Sequence, residues 1–463
     1  STVVVDTTKA QRQQECFEDW PYRGKMVKSK RPKSSTSDTT DVLAGMPIAS
    51  ALQNNDTAVL ASSIESALAG NDAIVSDIII EKTSGEAFTG GRSTPVYHVT
   101  CLVQRPGMKL PRRRNFVAKL VVMEGDEADA KVGRRRESYA VERRFYDAAA
   151  PRLRDGPANL TVPRLLASDR DGSRPWPAVC FLMNDLRAHG FPRHPDFLSV
   201  EDVARALRWL AAFHANFFGD AQSEDWRRDL WGRGGFWTGG KDCDGNGIAA
   251  QWTQTVRWMQ SSHPEWASTS IKNMGQRIQV AAGPVTNFLF GESKGSRGTL
   301  IHGDYKAANL FFSNVNVGCN GNGEDSGDGT ASVAAVDFQF SGAGLGAEDV
   351  AYLLFPDARG HYFDHEEMLL KVYHDEFISC LINQRKGGPS SLSFATFNSF
   401  YKLSQLDFTR HLLGKGWVGS TIGDARLVSA LNETLRSIDN GDTLGGEGDY
   451  MEGIGKMIRV EGQ

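Results

Sequence analysis

One string in this chain, Leu300-Ile-His-Gly-Asp-Tyr-Lys-Ala-Ala-Asn-Leu-Phe-Phe312, places an Asp five positions before an Asn, with apolar segments on both sides. Flanking buried strands can hold such a turn rigidly in a cleft. Phosphoryl transfer needs a carboxylate that accepts the proton of the attacking hydroxyl and an amide oxygen that helps hold Mg2+, and Asp304 and Asn309 suit those roles. Asp and Asn also favour turns for local reasons, so the string alone reads equally as a capping motif. A second acid, Asp337, ends the apolar run Val333-Ala-Ala-Val336, 28 residues after Asn309 (337 − 309). There it could bridge a metal ion to the β- and γ-phosphates of a nucleotide.

Upstream, Lys119 lies inside the apolar run Phe116-Val-Ala-Lys-Leu-Val-Val122. A lysine in such a strand either snorkels from a solvated face or is held by an anion, and edge strands carry lysines routinely. The α- and β-phosphates of a nucleotide would be a suitable anion, with a helix carboxylate to orient the ammonium. Glu142 in ESYAVERRFY is the choice for that carboxylate, with Glu137 the competitor on the same helix. Gly85, Gly90 and Gly91 would let a hairpin cover phosphates through backbone N–H groups. Their spacing departs from GxGxxG, and glycine serves turns generally. The succession carries more weight than any member: glycine turn, strand Lys, helix Glu, apolar strand with linker, HGDxxxxN, then DFQ.

These residues need a scaffold, which the hydrophobic pattern supplies. Residues 41–68 have helix-like apolar spacing broken by Pro47. SDIIIEKTSGEAFTGGRSTPVYHVTCLVQ reads as strand, glycine turn, strand, RNFVAKLVV as a third strand, and AVCFLMNDL as a further strand with a linker. AKVGRRRESYAVERRFYDAAAPRL between them reads as a helix. Residues 187–300 are mainly helical, with Val203, Ala206, Leu207, Leu210 and Phe213 on one face. Short strands return at GTLIHGD, NLFF and SVAAVDF. The last two are separated by a Gly-, Asn- and Asp-rich segment over 313–332, read as a flexible hairpin tip because its acids do not fit a calcium-loop pattern. Helical patterns resume from Ala347 to Leu431.

Composition bounds the class. At about 150 residues per domain, 463 residues could make three units, or one bilobal fold. A formal charge of −4 argues against a chain built to neutralise nucleic-acid phosphates. The six cysteines, at 16, 101, 180, 243, 319 and 380, form no CxxC pair, which excludes zinc-finger and thioredoxin-type sites and fits a reducing, cytoplasmic compartment. No apolar run approaches the ~18 residues of a membrane span. The sequence does not begin with Met, which leaves a removed leader open. The basic stretch from Arg23 to Lys33 reads as part of a solvated arm. Seven of the ten tryptophans fall between 209 and 266.

The strings FVAKL, ESYAVERRFYDAAAPRL, FLMNDL, LAAFHANFF, LIHGDYKAANLFF, AAVDFQF and EDVAYLL together resemble the aminoglycoside phosphotransferase and choline kinase superfamily, most closely its ecdysteroid kinase-like branch, over roughly residues 50–430. The HGDxxxxN and DFQ pair separates this group from protein kinases, which usually show HRDxxxxN and DFG. The resemblance implies an α+β, bilobal, protein-kinase-like fold, an N-lobe of antiparallel sheet with a helix (46–184) and a mainly helical C-lobe (185–440); composition adds a mobile arm (1–45) and a glycine-rich tail (441–463). It further implies ATP, Mg2+ and phosphorylation of a small-molecule hydroxyl. By the same resemblance, Asp304 is the catalytic base, Asn309 and Asp337 are metal ligands, Lys119 contacts phosphates and Glu142 orients it. Met183 and Asn184 form the purine-side hinge, where Asn184 replaces the Glu often found in relatives. His302 and Asp349 brace the catalytic loop, while His214 is structural. A pseudokinase or nucleotide-gated binding module is the alternative. The tryptophan-rich segment suits either an apolar alcohol or a cationic amine as acceptor.

Overall fold

A computed structural model describes residues 45–68, 72–83, 95–123, 130–157, 159–170, 178–219, 227–237, 247–262, 269–314, 333–355, 362–386, 392–415 and 425–461. The arm expected over 1–45 (save its last residue), the turn with Gly85, Gly90 and Gly91, and the tip over 315–332 lie outside the described residues.

Five antiparallel strands form one sheet in the order β1-β2-β3-β5-β4: β1 Ile74–Thr83, β2 Val96–Gln104, β3 Arg112–Val122, β4 Leu165–Arg170 and β5 Ala178–Asn184. β5 is buried on both faces, and the two-residue period of β5 and the end of β3 divides their side chains between two cores. Leu120, Ala178, Cys180 and Leu182 join the smaller cluster, whereas Val121, Val179, Phe181 and Met183 join the larger. The sheet is thus a partition with a core on each side.

The smaller core is closed by α1 (Pro47–Asn54) and α2 (Thr57–Ala67). Pro47 does not break a helix, as expected from its pattern; it stands in the first turn of α1, where its missing N–H would have had no partner. The break falls instead at Asn55, left-handed with φ 54, and Asp56 then caps α2 by accepting from Val59 N at 3.1 Å. On the other face, α3 (Ala130–Arg144) runs through a π-helical turn at Phe145–Ala149 into α4 (Ala150–Arg154). That turn seats Phe145 and Tyr146 in the larger core.

The C-lobe is helical: α5 Val200–Asn216, α6 Ile248–Ser262, α7 Thr269–Lys272, α8 Met274–Ser293, α9 Gly346–Leu354, α10 Glu366–Asn383, α11 Phe394–Gly414, α12 Ala425–Asp439 and α13 Glu447–Glu461. Two short antiparallel pairs interrupt it, β6 (Thr299–Ile301) with β9 (Gly342–Gly344) and β7 (Leu310–Phe312) with β8 (Val333–Ala335). They carry the HGDxxxxN turn and the strand entering Asp337. No helix among the described residues is long and apolar enough to cross a membrane. The fold is the expected α+β, bilobal one, with two differences. Strand β4 was not foreseen, because LLASDR is only partly buried and shows no alternation. The glycine-rich C-terminal segment carries α13, whose Tyr450, Ile454 and Met457 are buried.

One of its glycines, Gly453, serves close approach. A Cβ on Gly453 would stand 2.1 Å from the carbonyl oxygen of Ile438 in α12. Gly453→Val should therefore force the two helices apart and lower stability by about 1–3 kcal/mol, as overpacking does. Urea unfolding checks this, with Gly448→Ala, which has open space beside it, as the silent comparison.

Candidate active site

The HGDxxxxN turn follows β6. Gly303 has φ 80, and a Cβ there would lie 2.3 Å from Phe340 O and 2.7 Å from Gly235 N, so only glycine fits between His302 and Asp304. Asp349, fully buried in the first turn of α9, accepts from His302 N at 2.6 Å and Gly303 N at 2.9 Å. His214 Nε2 stands 3.2 Å from the same carboxylate, with Tyr373 OH at 2.8 Å from its Nδ1. His302 Nε2 lies 3.0 Å from Val336 O, and its Nδ1 accepts from Asp304 N at 3.3 Å. That pattern makes Nε2 the protonated nitrogen of a neutral ring, in keeping with the burial that lowers the His302 pKa. The expected brace of His302 and Asp349 is in place, and His214, read as structural, supports it from behind.

Asp304 is buried, and both carboxylate oxygens are engaged. Oδ1 accepts from Tyr352 OH at 3.0 Å; Oδ2 accepts from Lys306 Nζ at 3.0 Å and Asn309 Nδ2 at 3.2 Å. Burial pushes its pKa up to about 6 against the opposing pull of Lys306. Lys306 and Tyr352 were not singled out from sequence. Lys306 stood in plain view two positions after Asp304, whereas Tyr352 shows itself only once α9 is docked. Asn309 also donates to Asp304 O at 2.8 Å, so its NH2 group faces Asp304, and its Oδ1 is buried with no hydrogen-bond partner.

Asp337 adopts φ 68, a left-handed conformation uncommon outside glycine, Asn and Asp. Its Oδ1 lies 2.8 Å from Lys119 Nζ, and Glu142 Oε2 lies 2.8 Å from the same ammonium. Lys119 therefore does not snorkel; two carboxylates hold it, and Glu142 rather than Glu137 is the helix partner. Burial works to lower the Lys119 pKa, but Asp337 and Glu142 outweigh it and hold the ammonium well above the ordinary lysine range. Glu142 is pushed up to about 7 by burial, opposed by Lys119. Past Asp337, Phe338 stacks on Phe145 with ring centroids 3.6 Å apart, Gln339 Oε1 accepts from Ser138 Oγ at 3.2 Å, and Gln339 O accepts from Trp231 Nε1 at 2.9 Å. The DFQ segment is thereby fastened to α3 and its π-turn.

Met183 and Asn184 end β5 opposite Val117 and Phe116. Asn184 Oδ1 accepts from Arg164 N at 2.6 Å, which ties that oxygen to the neighbouring backbone, and Met183 belongs to the larger core. Among the tryptophans, Trp209 and Trp252 are core residues. Trp231 touches the DFQ segment, and Trp237 lies 5.3 Å from the Tyr352 ring. Trp226 and Trp266 lie outside the described residues.

A sheet lysine held between a helix glutamate and a C-lobe aspartate, facing a turn with an aspartate and an asparagine, defines the architecture of kinase-like phosphotransferases. Residues 91–385, more than half of the chain, match the ecdysteroid kinase-like family, and the chain belongs to it. No curated protein matches it in sequence. Solved structures similar to it include a microcompartment-associated aminopropanol kinase (16% identity, 81% of this chain and 94% of that one, TM-score 0.33). Another is a thermostable mutant of aminoglycoside phosphotransferase APH(4)-Ia (15%, 81% and 98%, TM-score 0.31). A third is choline kinase LicA from Streptococcus pneumoniae (11%, 82% and 99%, TM-score 0.32).

The Asp349 carboxylate holds two backbone N–H groups that otherwise lack acceptors in a dry interior. Asp349→Ala should leave both unsatisfied and lower stability by about 2–5 kcal/mol, since each such group costs about 1–3 kcal/mol. Denaturant unfolding measures it, and a loss under 1 kcal/mol would contradict the bracing role.

Proposed function

We propose that this protein transfers the γ-phosphoryl group of ATP, with Mg2+, to a hydroxyl of a small molecule. The observation that carries this reading is the convergence of Lys119, Glu142 and Asp337 at 2.8 Å contacts, from three separate elements. Together with Asp304 and Asn309, these are the charged groups that phosphoryl transfer depends on. The residues fit the metal: Asn309 offers a buried oxygen with no hydrogen-bond partner, and Asp337 a carboxylate, both hard oxygen donors of the kind Mg2+ takes. Bound there, Mg2+ would neutralise charge on the nucleotide phosphates. Among the described residues no three His, Cys, Asp or Glu side chains cluster as a metal cage, so phosphate oxygens and water would complete its shell.

Asp304 accepts the proton of the acceptor hydroxyl as that oxygen bonds to the γ-phosphorus and the bond to the β,γ-bridging oxygen breaks. Lys306 and Asn309 on one carboxylate oxygen and Tyr352 on the other fix its plane before the acceptor arrives. Lys119 binds the nucleotide phosphates while Glu142 keeps its ammonium in place. At the proposed purine-side hinge, Asn184 Oδ1 accepts from Arg164 N and Asn184 N donates to Arg164 O at 3.2 Å, so both are already engaged, and Met183 supports the hinge from the core side.

The acceptor side favours one of the two expected classes. Phe236, Trp237, Phe408 and His411 pack around the Tyr352 ring and its neighbours. Burial pushes His411 down to about 4, so it is neutral at physiological pH. The nearby carboxylates already face a cation: Arg233 stands 3.7 Å from both Asp407 and Glu348, and Asp407 also takes Arg410 at 2.9 Å and Thr286 at 2.5 Å, Glu348 the Leu345 N–H at 2.8 Å. An apolar alcohol suits this wall better than a cationic amine, which needs a carboxylate or an open aromatic face.

Asp304→Asn should lower turnover roughly 10²–10⁴-fold while ATP affinity stays within a few-fold. The assay is phosphoryl transfer from Mg2+-ATP to metabolite pools, followed by the identified acceptor; near-normal kcat in the folded variant would reject the base. A wild-type protein that binds nucleotide but phosphorylates nothing would favour the non-catalytic binding module. Asp337→Ala should abolish the extra thermal stabilisation that Mg2+ adds to ATP, measured by melting with and without the metal.

A further inference from the structure

We propose that the β2–β3 hairpin is a docking surface for anionic membranes. From Pro95 to Met123 the chain contains no Asp or Glu, although its overall formal charge is −4. Five cations, Arg105, Lys109, Arg112, Arg113 and Arg114, fall between positions 105 and 114, and Lys109, Arg112 and Arg113 are exposed. Among the described residues no ion pair joins any of them to an acid, whereas Lys119, seven residues beyond Arg112 in the same strand, is clamped by two.

The turn that presents them is rigid. Met108 N donates to Arg105 O at 3.1 Å, Gln104 Nε2 donates to Met108 O at 2.6 Å, and Pro106 precedes Gly107 at φ 80. At the tip Leu110 is 76% exposed, more than any other large hydrophobic residue described. The fold does not use this charge or this leucine.

An apolar tip ringed by unneutralised cations matches the boundary between lipid headgroups and acyl chains. Single-stranded nucleic acid is a poorer fit, because stacking needs aromatic rings and residues 105–114 contain none. The placement also suits the cleft. Lys119 pairs with Val96 and Arg112 with Val103, so the hairpin lies about 23 Å along β3 from the phosphate-binding lysine. Docking through it leaves the cleft open toward acceptors that partition into lipid.

The test is co-sedimentation of the full chain with vesicles of phosphatidylcholine alone and of phosphatidylcholine mixed with phosphatidylserine. Binding should require phosphatidylserine and fall as salt screens the charges. The triple variant Lys109→Glu, Arg112→Glu, Arg113→Glu should lower the bound fraction about tenfold or more. Leu110→Ser should weaken binding while keeping its salt dependence. Thermal melts matching wild type confirm that these surface variants fold. The proposal is overturned if wild type ignores phosphatidylserine. It is equally overturned if the folded triple variant still binds, since other basic segments such as 23–33 would then carry the attraction, or if soluble heparin binds the hairpin and vesicles do not.

Discussion

A buried ammonium between two carboxylates organises this molecule. Lys119 comes from the sheet, Glu142 from α3 and Asp337 from the C-lobe, so one cation ties together three elements that share no local sequence. Removing one partner of such a cluster leaves an uncompensated buried charge, which typically costs about 3–5 kcal/mol. Sheet, helix and C-lobe are therefore constrained to one mutual arrangement. The stacking of Phe338 on Phe145 and the bond from Ser138 to Gln339 reinforce it beside the charges.

A second support lies beneath the HGDxxxxN turn. Asp349 cannot hold its two backbone N–H groups without a closely approaching chain, and Gly303 permits that approach where any side chain would strike Phe340 and Gly235. His302 then links this turn to the strand leading into Asp337 through Val336 O. The proposed base and the proposed metal ligands are thus positioned by one hydrogen-bonded unit, which suits chemistry that depends on placement more than on covalent intermediates.

The two ends of β3 hold positive charge in different environments. Lys119 is desolvated and paired, so its charge acts locally and resists salt. The hairpin cations beyond Arg112 stand in water and act at longer range. The same strand therefore carries a buried, paired cation near one end and exposed cations at the other.

Much of this was legible before folding was considered. Runs of apolar, β-branched and aromatic residues marked four of the five sheet strands, and the order of strand lysine, helix glutamate, HGDxxxxN and DFQ named residues that converge, because strand-flanked turns are local structure that local sequence encodes. Other features depended on tertiary packing. Glu137 and Glu142 lie five residues apart on one helix, about 140° around its axis, so only the docking of α3 on the sheet selects Glu142. Tyr352 reaches Asp304 across 48 residues, and Lys119 meets Asp337 across 218. The helical character of the glycine-rich C-terminus was likewise hidden: glycine reads as flexibility in isolation, and only the closeness of α12 shows that the missing side chain of Gly453 is what lets α13 pack there.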